Sequence, residues 1–119
     1  MINYTDTLIS ELWPQVARIE INTKQTYRHA FGVEIGEYSL VLTPDRPANF
    51  PFRCVNDDCT AQYFDLYSQV AGMVAHHQEH AAGTLECRGK EAKDHPLNRC
   101  PCTLDYDITI EYRKATYGR

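Results

Sequence analysis

Along most of this chain apolar residues return at every second position, and in one segment at every third or fourth. Ala17, Ile19 and Ile21 alternate with Arg18, Glu20 and Asn22. Tyr27, His29, Phe31 and Val33 alternate with Arg28, Ala30 and Gly32, and Tyr38, Leu40 and Leu42 continue the pattern. A period of two places one set of side chains on each face of a strand. Three strands are therefore expected, joined by short connections at Asn22–Lys24 and at Gly36, in an antiparallel meander. The clearest strand is Thr103–Tyr112. Leu104, Tyr106, Ile108, Ile110 and Tyr112 point one way and Thr103, Asp105, Asp107, Thr109 and Glu111 the other, which implies one buried and one wet face.

The helical segments are fewer. Leu8, Ile9 and Leu12 fall at helical spacing within Thr5–Trp13, with Thr5 or Asp6 as cap and Pro14 as terminator. Tyr63, Tyr67, Val70, Val74, His77 and Ala81 follow a three-then-four spacing, which predicts a long helix over 61–81 that stops near Gly83. The proline-rich stretch 43–53 reads as a loop, Thr84–Arg88 as a short strand and 89–101 as a polar loop. Together these elements predict an α+β fold: an antiparallel sheet of about five strands with one long helix packed on it. With 119 residues and no repeat, low-complexity tract or linker, residues 1–119 are expected to form a single domain.

Composition narrows the class. Hydrophobic residues make up 43% and charged residues 24% of the chain, ordinary globular values that argue against disorder. The net charge of -4 is unevenly spread, because residues 54–80 hold Asp57, Asp58, Asp65 and Glu79 and no Lys or Arg. The N-terminal residues lack the basic start and apolar run of a signal peptide, and no stretch reaches a membrane span's length. A cytoplasmic location is expected, and there thiols stay reduced. The five cysteines then read as metal ligands or buried thiols rather than as disulfides.

The strongest chemical pattern is Cys54 and Cys59 with four residues between them, followed after sixteen more by His76 and His80. Zinc takes four thiolate or imidazole ligands in a tetrahedron. A tight polar turn can aim two sulfurs at one point, and two His four apart on a helix share a face. Cys54, Cys59, His76 and His80 are thus the expected ligands of a zinc-bound turn–helix unit over about 52–82. The segment 52–80 resembles a zinc finger of the two-cysteine, two-histidine type, with Phe52 before the first Cys, Tyr63 after the second and Met73 before His76. Its central gap is sixteen residues, against about twelve in the usual finger. Its helix also offers no Arg or Lys, so the resemblance implies a zinc site and not base readout.

Other ligand sets use the same residue types. His77 can replace His76. Cys54, Cys59, Cys87 and either Cys100 or Cys102 can form a four-cysteine site, and Cys87, His95, Cys100 and Cys102 a second metal site of three cysteines and one histidine. His76-His-Gln-Glu79-His80 also fits the H-x-x-E-H pattern of the inverzincin metalloproteases, with Glu79 activating water. Paired cysteines at the main site favour a closed, structural tetrahedron with no catalytic position. A structural zinc leaves function to a surface, and a protein partner is expected, with the chain as adaptor or inhibitor. A nucleic-acid partner, held by Arg88, Lys90, Lys93, Arg99, Arg113, Lys114 and Arg119, is the alternative, and no membrane association is expected.

Overall fold

A computed structural model describes residues 6–29, 31–56, 63–87 and 100–114. The chain is mostly β. A helical turn, α1 (Ile9–Leu12), leads into the long hairpin β1 (Val16–His29) and β2 (Gly32–Leu42). The short strands β3 (Pro51–Arg53) and β4 (Tyr63–Asp65) follow, then the helix α2 (Tyr67–Ala75) and the strands β5 (His80–Glu86) and β6 (Thr103–Tyr112). One antiparallel sheet has the order β2-β1-β6-β5, and β3 and β4 pair in a small second sheet. Among the described residues, no helix is long and apolar enough to cross a membrane.

The expected α+β fold with one long helix is overturned. Only Tyr67–Ala75 is helical within 61–81 as far as that segment is described, because Tyr63–Asp65 is strand β4 and His80 opens β5. The helix ends in a reciprocal pair of backbone bonds, Gln78 N to Met73 O at 2.8 Å and His77 N to Val74 O at 3.1 Å. This closure needs a residue in the left-handed region just past the helix, and His77 supplies it at φ 52°. The tyrosine at the end of β6 fixes the turn. Tyr112 stacks on His77 at 3.9 Å between ring centroids, and its hydroxyl donates to Gln78 O at 2.7 Å. Tertiary contacts therefore stop the helix eight residues before Gly83 (Ala75 to Gly83).

Three expected strands at the N-terminal side are in fact two. Asn22–Lys24 is not a connection but the middle of β1. Lys24 lies between Glu37 of β2 and Asp105 of β6, and Asn22 between Ser39 and Asp107. These polar residues face the solvated side of a central strand, where opposite charges and hydrogen bonds across strands stabilise pairing. Gly36 likewise lies within β2, opposite Gln25. The hairpin turn falls instead just before Gly32, whose φ of +143° favours glycine.

The inner face of the sheet carries Ile19, Ile21, Leu104, Ile108 and Ile110, all essentially inaccessible. Phe50, Phe52, Phe64 and Leu66 of the β3–β4 region, with Val70, Met73 and Val74 of α2, join them in one cluster. A register shift between Val16 and Arg18 lets both Val16 and Ile19 turn inward. The alternation expected of Thr103–Tyr112 holds throughout β6.

Gly83 of β5 sits opposite Tyr106 of β6, and a Cβ at this position would lie 2.6 Å from the Tyr106 hydroxyl oxygen. The ring covers the glycine and fills the place of its missing side chain. Gly83→Ala is expected to cost about 1–3 kcal/mol, the usual penalty for overpacking. Denaturant unfolding of Gly83→Ala and of Gly83→Ala/Tyr106→Val checks this, since the smaller residue should restore much of the loss.

Candidate metal centre

Four cysteines meet at the end of the sheet where β6 begins and β5 ends. Cys102 immediately precedes β6, and by the alternation of that strand it shares the inner face with Leu104. Cys87 follows β5 on the same face as Leu85. The two are held opposite each other by a backbone bond from Cys87 N to Cys102 O, 3.0 Å long. Cys100 stands one proline away from Cys102. Cys54 comes from the other layer, just after β3. All four are buried and none is in a disulfide.

The Sγ atoms of Cys54, Cys100 and Cys102 lie within 4.8 Å of one another, an arrangement able to hold a metal ion. Cys54 and Cys100 are 3.7 Å apart, sulfur to sulfur. A zinc–sulfur bond of about 2.3 Å gives a tetrahedron whose sulfurs are about 3.8 Å apart, so the spacing fits a single thiolate-bound ion. The Cys87 thiol interacts with Cys100.

Neighbouring groups position these sulfurs and favour their ionised form. Gln25 of β1 is buried and its amide brackets Cys54. Its Nε2 donates to Arg53 O at 2.6 Å and its Oε1 accepts from Val55 N at 2.9 Å. Asn56, also buried, donates from Nδ2 to Cys100 Sγ at 3.3 Å. The Asn56 backbone N–H points to Cys54 Sγ and the Cys102 N–H to Cys100 Sγ. Each of these turns thus offers the amide of the second following residue to a sulfur. Such bonds favour thiolate, the form that binds metal.

Without a metal, the crowding acts against ionisation. The hydrogen bond with Cys102, together with burial, holds the Cys54 thiol far above its ordinary range. Burial pushes Cys100 from near 9.0 up to about 12, despite the donors aimed at it. Thiols this close cannot all become anions unless a cation lies between them.

The ligand positions expected from the finger-like spacing are distributed differently. Cys54 is in the cluster, and Cys59 lies outside the described residues. His76 caps the end of α2 and is exposed. His80 opens β5 on the outer face, where its Nε2 contacts Asp107 Oδ1 at 2.8 Å. It lies roughly 20 Å along the strand from Cys87, at about 3.3 Å per residue, and on the opposite side of the sheet. The cluster contains no histidine. The residues of the H-x-x-E-H pattern do not share a helix, since His76 ends one and His80 begins a strand. His95 and the basic residues Arg88, Lys90, Lys93, Arg99 and Arg119 also lie outside the described residues, while Arg113 and Lys114 are exposed.

Gln25 and Asn56 were not singled out from sequence. One signal was available for Gln25: a polar residue at the inward parity of a strand whose other inward residues include Ile19, Ile21 and Tyr27. A comparison of the chain with protein families, curated proteins and solved structures finds no match.

Proposed function

We propose that this is a small zinc-binding β protein whose metal is structural, held by the thiolates of Cys54, Cys87, Cys100 and Cys102, and that it acts through a protein-interaction surface as an adaptor or inhibitor. The observation that carries the reading is the convergence of three buried sulfurs, within 4.8 Å of one another, from two separate layers of the fold. A metal bound there ties the β3 turn to the β5–β6 end of the sheet. The all-sulfur, buried donor set suits a closed structural zinc site. The outer face of the sheet sets Glu20, Glu37, Glu86, Asp105, Asp107 and Glu111 against Arg18, Lys24 and Arg28, an acidic balance that disfavours phosphate and supports a protein partner over a nucleic acid.

The test is elemental analysis of protein purified under reducing conditions, with cobalt substitution. One zinc per chain and sulfur-to-cobalt charge transfer of a tetrahedral all-thiolate site are expected. Iron with inorganic sulfide, or no metal at all, would refute the reading.

Proton counting gives a second check. Burial and mutual contact hold the Cys54 and Cys100 thiols above their ordinary range, and a thiol gives up its proton to bind zinc, so loading should release up to about four protons per ion, against about two for a site with two cysteines and two histidines. Stability should then depend on pH with opposite signs in the two forms. In metal-free protein the folded-state pKa of Cys100 is raised, so its contribution is present below its ordinary value and lost as pH rises from near 9.0 towards about 12. In loaded protein the sulfurs are already thiolates, and stability is lost as pH falls and protons compete with the metal. Thermal melts of both forms from acid to alkaline pH read the two slopes.

A further inference from the structure

β2 is an edge of the main sheet. Among the described residues, its only strand partner is β1. A free strand edge presents backbone N–H and C=O groups to any extended segment, and proteins usually blunt such edges with proline, lysine, bulges or short length. None of these devices occurs in β2. Its eleven residues, Gly32–Leu42, include no Pro, Lys or Arg, and the pairing with β1 runs from Ile19↔Leu42 to His29↔Gly32 without a shift. The opposite edge, β5, has seven residues with a small-residue centre, Ala81-Ala82-Gly83.

Exposed apolar surface is concentrated on the same edge. Of the six large hydrophobic residues exposed among the described ones, five lie in β2 or the turn before it: Phe31, Val33, Ile35, Tyr38 and Val41. Phe31 is 96% exposed and Ile35 58%. Val33, Ile35 and Val41 share the outer face, with Glu37 and Ser39 between them. A long, regular edge carrying an apolar row, interrupted by charge only at Glu34 and Glu37, has the features of a surface that accepts an added strand.

We propose that the β2 edge is the docking surface, and that its occupant is an extended segment of a partner protein, apolar at alternate positions and carrying Lys or Arg opposite Glu37. This rests on the reading of the chain as a protein-binding module. Charge selects the occupant. Both charged residues of β2, Glu34 and Glu37, are acidic. A second copy of the strand would add two more carboxylates and no cation, on a chain of net charge -4. Lys24 faces Glu37 from the β1 side, and a basic segment would set a second cation on its outer flank, where opposite charges across strands stabilise pairing.

The experiment titrates zinc-loaded, nitrogen-15-labelled protein with a synthetic peptide that alternates valine and threonine around a central lysine. Alternate backbone nitrogens are methylated so that the peptide cannot stack on itself, and a second peptide carries glutamate for lysine. Shifted amides confined to Phe31–Leu42, at least about tenfold tighter binding of the lysine peptide, and at least about tenfold weaker binding to Ile35→Lys are expected, each tenfold being about 1.4 kcal/mol. Ile35 is exposed, so Ile35→Lys should keep its metal and its melting temperature, which are measured on the same samples. Binding that shifts other residues, or that ignores Ile35→Lys, would overturn the edge assignment while leaving a protein-binding module. A wild-type dimer that Ile35→Lys dissociates would assign the edge to a second copy and overturn the stated partner. No shift with either peptide would overturn both the assignment and the protein-binding reading, without touching the metal site.

Discussion

Cys102→Ser is expected to lose stoichiometric zinc and much of its folded structure, whereas His80→Ala keeps both. Cys102 and His80 separate the two ligand sets completely: Cys102 has no role in a site of Cys54, Cys59, His76 and His80, and His80 has none in the cysteine cluster. Structural zinc contributes on the order of 10 kcal/mol in small domains. The whole stability of a domain is about 5–15 kcal/mol, so losing most of the metal's contribution should leave this chain largely unfolded at physiological temperature. The exposed contact of His80 with Asp107 is worth little, within about 0.5 kcal/mol of neutral, as for most surface changes. Metal content and melting temperature of the two variants read the outcome. Should Cys102→Ser prove too poorly folded to purify, the double variant His76→Ala/His80→Ala carries the test alone. Retention of one zinc supports the cysteine cluster, and loss restores the helix-type site.

The second large effect is expected at a residue that touches no metal. Gln25→Ala removes both bonds that bracket Cys54 and leaves Arg53 O and Val55 N without these partners. A buried polar group that loses its partner costs about 1–3 kcal/mol, and because both bonds are only part-buried the pair should cost about 2–3 kcal/mol, the low end of its sum. If Gln25 acts by positioning Cys54, zinc affinity should also fall about 10–100-fold, the usual consequence of removing a group that orients a ligand. Competition with a chelating indicator measures affinity, and melts with and without zinc measure stability. A variant that melts lower but binds zinc as the wild type does would make Gln25 a packing residue only. Gln25→Glu separates the two bonds, since a carboxylate still accepts from Val55 N but cannot donate to Arg53 O.

Much of the sheet was legible from local pattern. Strict alternation identified β6 to the residue, because one wet and one buried face impose a period of two on any such strand. The cysteine content points to a metal, and Cys54 lies in a cluster able to hold one. The helix over 61–81 was misread for a physical reason. Tyr67, Val70 and Val74 do lie on α2, but Tyr63 and Ala81 extend the same spacing into β4 and β5. Burial sets the spacing of apolar residues, and it does not report which backbone groups bond to which. Asn22–Lys24 looked like a turn because polar residues on the solvated face of a central strand have the composition of a loop.

Which cysteines meet was decided by tertiary structure alone. Cys54 and Cys100 are 46 residues apart in sequence, and no local spacing relates them. They converge because the register of β5 on β6 sets Cys87 opposite Cys102, and because Gln25 fastens the β3 turn to the central strand. The histidines were drawn into the expected site by a helical spacing that the fold does not keep. Once His80 enters β5, the alternation of that strand turns it to the outer face, with the sheet between it and the sulfurs. The residue types thus announce the chemistry, while strand register and strand parity decide which of them share a centre.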